Sequence, residues 1–157
     1  MVRNIAAVIA GYLSAAVFVA LGLSLVWMRT GPAWAYQPGS THVTTNWLLI
    51  HIPIMFIGTF LGGLVAASIA KRWGAVQALA IIFFVLDMLV AIVHLTTARP
   101  LPPKSPAQFT VIEAANYAIQ PTWYDFAVPF SAAAGVLLGG RLRLRRPSAH
   151  QLREATS

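Results

Sequence analysis

The chain has 157 residues, of which 58% are hydrophobic and only 10% charged, with a formal net charge of +7 and no cysteine. Soluble domains carry about 25% charged residues, so this composition excludes an ordinary soluble fold, and its apolar excess excludes a disordered chain. Without cysteine there is no disulfide framework, no thiolate metal site and no cysteine nucleophile, which leaves an integral membrane protein.

A bilayer core of roughly 30 Å is crossed by about 20 apolar residues in a helix, and in lipid such a stretch must be helical to satisfy its own backbone. The first predicted span covers 5–28. Ala33-Trp34-Ala35 behind it imitates a signal-peptidase site, but the apolar run far exceeds a signal h-region, so the segment reads as a retained helix. The stretch 29–46 is rich in Gly, Pro, Thr and Ser and reads as a loop.

The second span covers 47–70 and the third 75–95, the latter interrupted by Asp87. The segment 96–123 carries five prolines. Within it Ser105-Pro106 resembles a helix start, predicting a helix to about Ala118 that would lay Phe109, Ile112 and Tyr117 on the bundle mouth or the membrane surface. Such a long loop is either a lid or a connector. The fourth span covers 124–140, short but extended by arginines able to snorkel, and 146–157 is a polar tail.

The predicted fold is therefore an all-α integral membrane four-helix bundle, built as two helical hairpins, with residues 1–145 as one domain. Four spans put both termini and the turn near residue 72 on one side. That side holds Arg3, Lys71, Arg72, Arg141, Arg143, Arg145, Arg146 and Arg153, eight of the eleven basic residues. The positive-inside bias then predicts a multi-pass protein of the cytoplasmic (inner) membrane with cytoplasmic N- and C-termini. Trp27, Trp34, Tyr36, Trp47, Trp123 and Tyr124 are expected to form an aromatic belt at the outer interface. Lys71, Arg72, Arg141, Arg143, Arg145 and Arg146 are candidate contacts for anionic lipids. Nucleic acid is not an expected partner, because the basic run follows directly on a span.

Spans two and four share the pattern Gly-x-x-Leu-Gly-Gly, at Gly58, Gly62 and Gly63 and again at Gly135, Gly139 and Gly140. Small residues at this spacing let helices approach closely, and the repetition is compatible with two related hairpins.

Ionisable groups inside a span are costly, about 3 kcal/mol for a central Asp on insertion scales. Asp87 and His94, seven residues apart, share a helix face, and Asp125 opens the fourth span on the same side. Asp87, His94 and Asp125 are thus a candidate proton or ion site. His51 and His94, expected at similar heights, are candidate haem or Cu/Zn ligands with Met55 as a soft addition, although their spacing matches no metal motif and no cofactor is expected. No nucleotide-binding or hydrolase motif occurs. The leading expectation is a non-enzymatic accessory or scaffold subunit, alone as a homo-oligomer or within a larger membrane complex. The alternatives are a small proton- or ion-coupled transporter using Asp87, and a haem or metal protein using His51 and His94.

Overall fold

The computed structural model describes residues 1–97, 102 and 104–145. Among these residues the fold is all-helical, with two isolated bridges and no extended strand. Arg146 and the 146–157 tail expected from the sequence lie outside them.

The first helix, α1, runs Val2–Thr30 and stops at Gly31, whose φ of 70° is a conformation open to glycine at little cost. A single turn, α2 (Pro32–Ala35), follows. The next long helix, α3 (Thr45–Ala70), begins where the Thr44 side chain accepts from the Trp47 amide, and it ends at Lys71 in the left-handed conformation. Two residues later α4 begins, spanning Trp73–Thr96. A 3-10 turn at Pro106–Gln108 and the short α5 (Val111–Tyr117) precede the last helix, α6 (Thr122–Arg145).

Three helices, α1, α3 and α4, are long and apolar enough to cross a membrane. Helix α6 has 24 residues, as many as α4. Its apolar run is broken by Pro129, Ser131 and three glycines, and Asp125 and arginines occupy its ends, so it falls short of the other three in apolarity.

Helix α3 lies between α1 and α6, and α6 lies between α3 and α4. The two glycine patterns sit at these crossings. A Cβ on Gly63 would run into the backbone of Val136, and one on Gly139 into the Phe60 carbonyl, so α3 and α6 pack backbone against backbone. On the neighbouring face of α3, a Cβ on Gly62 would lie 2.6 Å from the Gly11 carbonyl oxygen. Gly58 faces Ala15, Phe18 and Val19 of α1, Gly135 faces Thr59 of α3, and Gly140 faces Val76 of α4. Gly11, absent from the sequence pattern, completes the α1–α3 crossing.

The half of the molecule holding the chain's start is filled by Ala15, Ala66, Ala67, Val76, Leu79, Ala132 and Val136. Its end is tied by two arginines. Arg3 donates to the Ala70 carbonyl at 2.7 Å and Arg143 donates to the Ser68 hydroxyl at 2.9 Å.

At the other end the described parts of both loops form a single cap. The Val43 amide donates to Ile119 and the Ile119 amide to Thr41. Tyr36 donates its hydroxyl to the Ala114 carbonyl at 2.7 Å, and burial pushes that phenol up to about 12, so it remains a donor. Trp27, Ala35, Tyr36, Val43, Leu48, Phe109, Ala114, Ala118 and Tyr124 form the cap's own core.

Two expectations change here. The helix does not begin at Ser105, whose side chain caps nothing. It begins at Val111, where Thr110 and Glu113 form a reciprocal capping box. The physical reason is that Pro106 supports only a 3-10 turn, whereas Thr110 and Glu113 satisfy two free amides at once. The aromatic belt is also largely internal: Trp27, Tyr36 and Tyr124 are buried, while Trp123 is exposed. Phe109 lies before α5 and is buried, Ile112 is exposed, and α5 meets the cap core through Val111, Ala114 and Tyr117.

Candidate functional site

His51, His94, Tyr124 and Asp125 meet at the cap end, around the first turn of α6. Tyr124 and Asp125 are consecutive there, and each engages a different neighbouring helix. The Tyr124 hydroxyl hydrogen-bonds to Nδ1 of His51 on α3. The Asp125 carboxylate lies 3.3 Å from Nδ1 of His94 on α4. His51 is further held by stacking on Trp47 and on Tyr124, with ring centroids 6.2 and 5.7 Å apart.

Local sequence explains this placement. Pro121 precedes α6, and its carbonyl accepts from the Tyr124 amide. A carboxylate in the first turn of a helix also faces free amides and the positive end of the helix dipole, which suits Asp125. Tyr124 is 1% exposed and Asp125 8% exposed, so both polar ends are directed inward among partners rather than at lipid.

Asp87 lies deeper on α4. It stands seven residues, about two turns, from His94 on the same helix face. Its Oδ2 atom is buried and has no hydrogen-bond partner among the described residues. Tyr124 and Asp125 thus engage His51 and His94 respectively, while Asp87 makes no side-chain contact with either pair among the described hydrogen bonds. These residues do not meet one another as a single ligand set, and among the described residues no group of three or more His, Cys, Asp or Glu could hold a metal ion. The carbonyl of Met55, not its sulfur, has a defined role: it accepts from Thr59 at 2.9 Å.

Tyr124 is the residue that sequence reasoning missed as a site member. A tyrosine beside an aspartate at the start of a span reads as an interfacial anchor. The signal available was that a buried phenol needs a polar partner.

A cavity of about 150 Å³ lies beneath the cap, with Trp27, Tyr36, Trp47, His51, Val111 and Gln120 in its wall. At the opposite end Trp73, Leu137, Leu138, Arg141, Leu144 and Arg145 line an open groove of about 510 Å³.

Comparison of the chain with family models, with curated proteins and with solved structures gave no match.

Proposed function

We propose that the chain is a four-helix, multi-pass protein of the cytoplasmic membrane that binds and releases a proton at Asp87 in its outer half. On this reading α6 is the fourth span, α1 with α3 and α4 with α6 are the two hairpins, and both termini are cytoplasmic. The support for this orientation is the gathering of Arg3, Lys71, Arg72, Arg141, Arg143 and Arg145 at one end of the helices.

The observation that carries the function is the unpartnered, buried Oδ2 of Asp87. A carboxylate in a low-dielectric span is stable when a proton or a cation cancels its charge. Tyr124, Asp125 and His94 supply groups through which a proton can reach the outer surface, with His94 the most exposed of them at 32% of its side chain. A protonated-carboxyl infrared band that titrates with pH should be present in the reconstituted wild type and lost in Asp87→Asn. Persistence of the same band in Asp87→Asn would overturn the assignment.

A second reading, an accessory subunit acting with a second copy or another membrane protein, is favoured by the other half of the bundle. Small and apolar residues fill it, and Thr59 and Asp125 are the buried polar residues among those described. On this reading one copy has no polar route onward from Asp87 to the basic end. Proton binding in this reading changes packing or partner contacts instead of driving transport. Proton uptake into proteoliposomes by the monomer would exclude it.

A further inference from the structure

The wall of the cavity under the cap does not include Asp87 and has its own chemistry. We propose that the cavity binds a lipid-soluble, single-ring aromatic compound carrying a carbonyl group.

Size sets the first limit. An engineered apolar cavity of about 150 Å³ holds one benzene molecule, and the cavity here is of that volume, about 150 Å³. Its walls set the second. Trp27 stands nearly perpendicular to both Tyr36 and Trp47, at 78° and 86°, so three ring systems surround the space in different planes. Such walls favour another aromatic ring, which can meet them edge to face or offset.

The polar group is set by His51. Tyr124 and His51 Nδ1 share a hydrogen bond, in which we assign Tyr124 as the donor. The proton of the neutral ring is then on Nε2, making His51 a donor alongside the indole N–H groups of Trp27 and Trp47, while the Tyr36 hydroxyl is already donated to Ala114. A donor in an apolar wall selects a ligand with an acceptor. Lys104 and Glu113 of the cap pair with each other at 2.9 Å.

The test uses the full chain in nanodiscs with para-fluoroacetophenone, and para-fluoroethylbenzene as the matched ring without a carbonyl. Fluorine NMR separates a bound resonance from probe dissolved in lipid. The expected result is a saturable bound resonance for both probes, with the ketone about fivefold tighter, the ratio that one neutral hydrogen bond gives. His51→Phe keeps the aromatic stack and should erase the fivefold preference. Val111→Phe should fill the cavity and abolish both bound signals; Ala115→Leu serves the same end if that variant does not fold. Gly74→Ala, exposed and outside the cavity wall, should leave both affinities unchanged, and the Asp87 infrared band is read without any probe, so failure here is distinguishable from failure of the proton site. No saturable resonance, or one that survives both filling variants, would overturn the site. Equal affinity for the two probes would overturn the carbonyl assignment.

Discussion

Tyr124 and Asp125 are adjacent in sequence, yet the first bonds to His51 on α3 and the second to His94 on α4. One turn of α6 therefore clamps two helices at the same height. Tyr124→Phe keeps the ring and removes only the hydroxyl, leaving His51 Nδ1 without its hydrogen-bond partner. Hydrogen bonds between helices in membranes are worth about 0.6–2 kcal/mol, so a loss of about 1 kcal/mol is expected. A double-mutant cycle with His51→Phe, read by detergent unfolding, should recover most of it as coupling energy. Additive losses would mean that the contact carries no stability.

The glycine crossings make a sharper prediction. Gly63→Ala and Gly139→Ala each place a methyl group against backbone, which cannot rotate away as a side chain can. Overpacking costs about 1–3 kcal/mol and more where relaxation is blocked, so both should unfold at clearly lower denaturant concentration. Gly74 has nothing within 4 Å of an added Cβ and is exposed, so Gly74→Ala is the control. Its change should stay within about 0.5 kcal/mol. Equal effects at all three positions would show that helix propensity, not close approach, is being measured.

These residues also show how far the sequence is legible. Helix positions follow from runs of apolar residues, because hydropathy and backbone satisfaction leave the chain no alternative. The glycine spacing marks the α3–α6 crossing for the same reason: its information is local. Tyr124 escapes notice because its role depends on which helix lies opposite, and no spacing rule encodes that. The cap is harder still. Its core joins Tyr36 to Ala114, 78 residues away, so two segments that look like ordinary loops become one structure only when both are present. Thr110 and Glu113 were available as a capping signature, but Ser105-Pro106 offers a competing one five residues earlier.

The groove at the basic end should select anionic lipid. Arg141 and Arg145 flank Trp73 and three leucines, a wall that suits acyl chain below and phosphate above. Basic residues near a membrane surface contribute about 1 kcal/mol each towards anionic lipid, so Arg141→Gln and Arg145→Gln should each lower phosphatidylglycerol retention about fivefold. Native mass spectrometry reads this directly. Retention of a zwitterionic lipid should not change; a parallel loss of both would point to general disruption of the groove.

The cap should have an acid limit set by Glu113. Its carboxylate accepts from the Thr110 amide at 2.8 Å and the Thr110 hydroxyl at 2.9 Å, and it pairs with Lys104 at 2.9 Å. The backbone hydrogen bond first, then the bonds from Lys104 and Thr110, hold it down at about 2, against an ordinary 4.5. A carboxyl lowered on folding lends its full stabilisation above the unfolded value and loses it as pH falls towards the folded one. Amide protection in α5, corrected for intrinsic exchange, should thus be constant from neutral pH down to about 4.5 and fall between there and about 2. Glu113→Gln retains an acceptor but has no charge to lose, so its protection should start lower and stay flat across that window. The difference between the two proteins isolates Glu113 from every other carboxylate. If both curves fall together, the acid sensitivity of the cap lies elsewhere, and the Thr110–Glu113 box is not what holds α5 in place.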